Sequence, residues 1–293
     1  MKSQCFGFVL FFLSAFFLNA CSNTVSPSDD LENFPMEGGG ESLSSANSSS
    51  SVFSSSSSET DSLGLSWVKI PNAKFVRGVT EISLSSFHIL ETEVTQELYA
   101  DYLTLPIQKK EGDSLPVTNV SWYDAARLCN ALANAYGLDT TYVYSSVGTG
   151  GVLLDLKIET KDSTVRLPTE AEWEFAIRAG TSTKYFWEKA EQAHLYANYY
   201  SEEGVIPVAS LKPNAYGLYD MAGNVSEWVE DWYSAYTNES SLQDPHGPTK
   251  GSQKVVRGGS WSSSLTELAS DNRQKGTPDE ALYNRGFRIV LKK

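Results

Sequence analysis

From Gly180 to about residue 253 the sequence carries no helical or strand period of useful length. A compact domain rarely holds so long an irregular stretch unless something orders it. Its densest part is GLYDMAGNVSEWVEDWY, residues 217–233. The acidic residues make this run too polar for a core strand, and its Trp and Tyr residues make it too aromatic for a solvent loop. Two things could fix it in one shape: packing of the aromatic side chains, or a cation held by the acids.

Upstream, the periods are clearer. WVKIPNAKFVRG (67–78) reads as two short strands about a Pro-Asn turn, with a further strand near 82–90. Thr95 is placed to cap a helix carrying Tyr99, Tyr102 and Leu103 on one face. SWYDAARLCNALANAYG predicts the clearest helix: Ser121 caps it, Ala125, Leu128, Cys129, Leu132 and Tyr136 form one stripe, and Gly137 can end it. Cys129 on that stripe reads as a buried apolar residue. A third helix follows in RLPTEAEWEFAIRAG, where Thr169 and Glu172 form a capping box that satisfies two backbone donors reciprocally.

The first residues lie outside this pattern. Lys2, the apolar run Phe6–Leu18 and the sequence Leu18-Asn19-Ala20-Cys21 resemble a bacterial lipoprotein signal and its lipobox. That implies a signal peptide over 1–20 and lipidation of Cys21, anchoring an exported chain to the cell envelope at the outer membrane or cell surface. Residues 42–58 hold twelve Ser among seventeen, a composition that cannot bury enough apolar surface to offset its ordering entropy. The span 21–63 is therefore expected to be a lipidated tether reaching about 35 Å from the membrane, with the domain at 64–293. Cys5 leaves with the signal and Cys21 takes lipid, so Cys129 has no disulfide partner in the mature chain. A formal charge of −13 argues against nucleic acid as a partner.

Five segments then occur in order: VSWYDAARLCNAL, RLPTEAEWEFAIRAG, PNAYGLYDMAGNVSEWVEDWY, VVRGGSW and NRGFRIV. Together they resemble the formylglycine-generating enzyme, or sulfatase-modifying factor, family across the whole domain. The resemblance implies an α+β, C-type-lectin-like fold with extensive irregular loops. It also implies a structural Ca²⁺ held by the carboxylates of Asp220 and Glu227 and the backbone carbonyls of Gly223 and Val225, a hard-oxygen set of the kind calcium takes. Trp228 and Trp232 would pack beneath that loop.

The family's oxidases hold copper with two thiolates, placed two and seven residues after the aromatic of the GGS motif. Here those positions are Ser263 and Leu268, so no copper is expected and formylglycine generation is not the expected activity. His88, His194 and His246 show no metal-binding spacing and read as surface or supporting residues. Arg257, Ser260, Trp261, Ser263, Asn272, Arg273 and Arg285 remain as candidates to line the ancestral cleft, although Arg257 and Arg288 could equally pair with buried carboxylates. Two functions stay open. One is a membrane-anchored module binding a protein, peptide or glycan on the face near residues 260–284. The other is an oxidase or hydroxylase of another metal type acting on an exported protein or small molecule.

Overall fold

The computed structural model describes residues 58–293. The expected signal peptide, the expected lipidation site Cys21 and the Ser-rich tract to residue 57 lie outside the described residues. The ordered fold begins before the expected boundary at residue 64, because Glu59–Thr60 pairs with Ser66 and Trp67 at the edge of a sheet. Asp61 fastens this start by accepting from the Leu63 and Leu65 amides and from the Trp67 indole at 2.6 Å, and from the Tyr136 hydroxyl.

The protein is α+β, with few helices and many short strands. A six-stranded sheet runs Glu59–Thr60, Ser66–Ile70, Phe87–Leu90, Val290–Lys292, Thr164–Arg166, Asp139–Thr140, so the first and last strands of the described residues share one sheet. A four-stranded sheet runs Gln274–Gly276, Lys254–Arg257, Ser226–Trp232, Arg285–Phe287. The strand expected near 82–90 is two strands, Thr80–Leu84 and Phe87–Leu90, broken where Asp244 accepts from the Ser85 amide and hydroxyl. No helix among the described residues is long and apolar enough to cross a membrane.

Helix starts follow the capping logic of the sequence. Helix α1 (Gln96–Tyr102) is capped by Thr95, and α2 (Trp122–Ala135) by Ser121 in a capping box with Asp124. Helix α3 (Glu170–Arg178) carries the Thr169–Glu172 box. Cys129 is buried on α2, and that burial pushes its thiol well above the usual range, which suits a core residue and not a nucleophile.

The expectation that residues 217–233 are too polar for a core strand is wrong. Ser226–Trp232 is an inner strand of the four-stranded sheet, and all but its last residue are buried. Its period of two sorts the side chains. Glu227, Val229 and Asp231 face α3: the Trp173 indole donates to Glu227 at 2.7 Å, Val229 shares a core with Trp173, and the Glu170 amide donates to Asp231 at 2.7 Å. Trp228 and Glu230 face α2: Trp228 packs with Trp122, and Glu230 accepts from Tyr142 at 3.2 Å. A buried acid tolerates such a strand when it is paired or hydrogen-bonded: Glu227 pairs with Arg288 and Glu230 with His246, while Asp231 accepts only the Glu170 amide and burial raises its carboxyl to about 7.

Candidate functional site

The loop leading into the central strand is built on backbone conformations that side chains rarely adopt. Asp220, Gly223 and Asn224 have φ of 56°, 80° and 55°. Asn224 and Asp220 tolerate this because their short polar side chains bond locally. The Asn224 amide donates to the Asn198 carbonyl at 2.8 Å, its side-chain oxygen accepts from the Ile206 amide at 3.0 Å, and the Ala209 amide donates to Asp220 at 2.8 Å.

Beneath this loop sits a buried charge cluster. Arg288 Nε donates to both oxygens of Glu227 at 3.0 and 2.9 Å, and its Nη2 donates to Oε1 at 2.8 Å and to the Tyr219 carbonyl at 2.9 Å. Glu93, which the sequence reading did not single out, accepts from the Val225 amide at 2.9 Å and from Asn224 Nδ2 at 2.6 Å. Burial and the neighbouring Asp220 and Glu227 push the Glu93 carboxyl well up; burial likewise raises Asp220. Three carboxylates thus share one guanidinium.

The four expected calcium ligands are close in the chain but do not form a ready coordination sphere. Glu227 has both oxygens on Arg288 and one also on Trp173. Asp220 is engaged by Ala209, and no group of three His, Cys, Asp or Glu converges to hold a metal among the described residues. Arg288 supplies the counter-charge that a cation was expected to supply. The donor chemistry and the surplus of carboxylates still suit a hard divalent ion, which would have to share Glu227 with Arg288.

The expected cleft residues divide into two groups. Arg257 is fully buried, donating to Glu174 at 3.1 Å and to the carbonyls of Ser270, Asp271 and Asn272. Arg273 clamps both oxygens of Glu170 at 2.6 and 2.7 Å and lies over the Tyr236 ring. Arg285 is buried between Glu280 and Trp228, and Asn272 donates to the Glu267 carbonyl. These four hold the fold and do not line a shared cleft, because each side chain already donates to an internal acceptor. Ser260 and Ser263 bond one another, the Ser260 amide donating to Ser263 Oγ at 3.1 Å. Leu268 is a core side chain.

Trp261 is different. It is half-buried against Leu115, Val205 and Val225, and its indole donates to the Tyr283 carbonyl at 3.4 Å. Its own carbonyl accepts from the Ser201 amide at 2.7 Å, and Ser263 accepts from the Tyr200 amide at 3.0 Å. These bonds set Tyr200 beside the Trp261 loop, 82% exposed and with a φ of 47°. An exposed aromatic held in a strained left-handed conformation is uncommon enough to ask what it serves. Trp261 and Tyr283 line a shallow cavity of about 230 Å³ together with Lys109, whose ammonium lies 5.2 Å above the Tyr283 ring. Ile107 is 79% exposed two residues from that lysine. Tyr200 and Lys109 gave no signal in sequence because nothing local marks them as neighbours of residues 261–283.

Residues 56–293, which hold all of these elements, match the family model of the sulfatase-modifying factor enzyme 1-like domain. The chain belongs to the sulfatase-modifying factor family. It is 40% identical over 144 residues to the formylglycine-generating enzyme of Streptomyces coelicolor, covering 43% of this chain and 46% of that protein. It is 27% identical over 240 residues to a protein named chaperone protein LppX of Paenibacillus barcinonensis, covering 72% of this chain and 82% of that one. Treponema denticola variable protein 1 shares its fold, with a TM-score of 0.71 and 30% identity over 80% of this chain and 99% of that one. The chain spans only 37%, 20% and 46% of the lengths of the first curated relatives it matches. Within the sulfatase-modifying factor fold, the positions expected to carry the two thiolates hold a serine bonded to its own loop and a leucine packed in the core.

Proposed function

We propose that this member of the family works as a polypeptide-binding module at the cell envelope and does not generate formylglycine. The observation that carries this reading is the aromatic face of Tyr200, Trp261 and Tyr283, edged by Lys109. Rigid aromatic anchors with a neighbouring cation are the residues that dominate protein interfaces. The cavity beneath them, at about 230 Å³, is smaller than the roughly 300–1,000 Å³ of an enclosed small-molecule site. A relative bearing the name chaperone supports a polypeptide ligand over a glycan. Ser263 and Leu268 support the loss of copper chemistry, since a hydroxyl and an isobutyl group are poor ligands for Cu(I).

Peptides selected from a random display library against the full-length chain test this. Trp261→Ala and Tyr200→Ala should each weaken the selected peptides by about tenfold or more, the size of a hot-spot residue. Val79→Ala, at an exposed position of the turn Gly78–Val79 between Ala73–Arg77 and Thr80–Leu84, should change nothing. No enrichment of peptides, or binding insensitive to both aromatic substitutions, would sink the reading. A metal-dependent oxidase or hydroxylase of another type remains the second reading, resting on family membership alone.

Two further features belong to the same proposal. The lipobox at Leu18–Cys21 would tether the module to a membrane through lipid on Cys21, and the Ser-rich tract would give it reach. Cys21→Ala should move the protein from the membrane fraction to the soluble one; unchanged fractionation would refute anchoring. Calcium at Asp220, Glu227 and the carbonyls of Gly223 and Val225 would relieve the carboxylate surplus around Arg288.

A further inference from the structure

A second cavity shares no lining residue with the Trp261–Tyr283 face. It has a volume of about 510 Å³, within the range of small-molecule sites. Leu156, Ile158, Trp232 and Pro248 give it apolar walls, and Lys157 and Lys250 stand at its exposed margin. His246 and Glu230 also line it, with the hydroxyl-bearing Thr160 and Thr249.

His246 and Glu230 form an ordered dyad. The Glu230 carboxylate is buried and accepts from His246 Nδ1 at 2.7 Å and from the Tyr142 hydroxyl at 3.2 Å. Beneath, the Lys254 ammonium donates to the Glu230 backbone carbonyl at 2.7 Å and lies between the Trp122 and Trp232 rings. Burial alone would raise the Glu230 carboxyl, but the bond from His246 and the charges of Arg166, His246 and Lys254 bring it below its usual value. An ionised Glu230 is acceptor-only, so Nδ1 carries a proton in both states of the imidazole, and Nε2 donates to a ligand when the ring takes up its second proton.

The cavity's charge departs from that of the chain. The whole sequence carries −13, yet this lining brings Lys157, Lys250 and His246 around a single acid that is already paired. We propose that it is a second binding site, for a small organic carboxylate with an apolar body: the carboxylate meets His246 Nε2 and the two lysines, and the body lies against Ile158, Trp232 and Pro248. The proposal does not depend on the polypeptide-binding face.

The dyad also gives a pH dependence. The hydrogen bond to Glu230 raises His246, against an opposing effect of burial; the carboxylate charges of Glu230 and Glu172 add to the rise, and Arg166 opposes it. Asp231, which burial raises to about 7, and Lys254, which burial lowers to about 7, lie on the same network, and Lys157 and Lys250 line the cavity. Below the raised value the imidazolium donates from Nε2. Above it, Nδ1 keeps its proton for Glu230 and Nε2 turns a lone pair toward the ligand, so carboxylate binding is lost as pH rises.

The test is titration of the full-length chain with phenylacetate, phenylacetamide, phenethylamine and inorganic phosphate, read by calorimetry and by the Trp232 indole signal in ¹H–¹⁵N spectra. Phenylacetate should bind saturably and shift that signal, with phenylacetamide and phosphate at least tenfold weaker and phenethylamine not binding. His246→Gln should weaken phenylacetate about tenfold and remove most of the pH dependence, leaving the part that Asp231 and Lys254 contribute. Lys157→Ala with Lys250→Ala should weaken it severalfold at unchanged melting temperature, which keeps the test valid if the histidine variant is destabilised. Equal binding of acid and amide, phosphate binding as tightly as phenylacetate, or no saturable shift of Trp232 would overturn the proposal.

Discussion

Replacing Arg288 with Met should destabilise the domain by about 3–5 kcal/mol, because it leaves buried carboxylates without their counter-charge. Arg288 and Glu227 are both fully buried, and Arg288 is the cation that Glu93 and Asp220 also face. For a domain of this size that loss corresponds to a fall in melting temperature of about 6–20 °C. The double variant Glu227→Leu with Arg288→Met should lose less than the sum of its single changes, since removing both charges avoids stranding either one. Thermal melts of the three variants check this, and an Arg288→Met protein within about 1 kcal/mol of the parent contradicts it. The same melts with and without chelator test calcium. A native-state ligand stabilises by mass action, so chelation should lower the parent's melting temperature and leave Glu227→Ala unmoved. Equal melting of the parent with and without chelator argues that Arg288 alone neutralises the loop.

Gly223→Ala should be nearly as damaging, by about 3 kcal/mol. A left-handed residue with a Cβ costs roughly 1–2 kcal/mol on its own. At Gly223 that Cβ would also collide with the carbonyl of Asn198, which accepts the Asn224 amide. Overpacking against fixed backbone adds about 1–3 kcal/mol. Gly64→Ala separates the two contributions: its φ is +76°, close to the +80° of Gly223, but nothing lies within 4 Å of its Cβ. It should cost about 1 kcal/mol. Denaturant unfolding of both variants gives the comparison, and equal losses would show that the close approach to Asn198 matters little.

Local rules were enough for the helices. Thr95, Ser121 and Thr169 cap where the sequence places them, because a cap acts over three residues and its signature is contiguous. Cys129 on its apolar stripe is buried as expected for the same reason. The central strand was illegible because its acids look solvent-facing until their partners are known. Glu227 finds Arg288 61 residues away and Trp173 54 residues away, while Glu230 finds His246 16 residues on. Pairings at such separations leave no periodicity to read. The cleft was half legible: Trp261 belongs to an exposed face, whereas Arg257, Arg273 and Arg285 are internal clamps, and charge type alone does not separate the two roles. Tyr200 became visible only through its backbone bond to Ser263. At the N-terminal edge, the serine composition hid the point where Glu59 and Thr60 join the sheet.

Mass spectrometry of a sulfatase-type cysteine peptide, after incubation with the copper-treated full-length chain, most directly separates a binding module from a formylglycine-generating oxidase. With Ser263 and Leu268 in place of two thiolates, the expected result is an unmodified peptide thiol with or without copper. Aldehyde product formed at catalytic yield would contradict it.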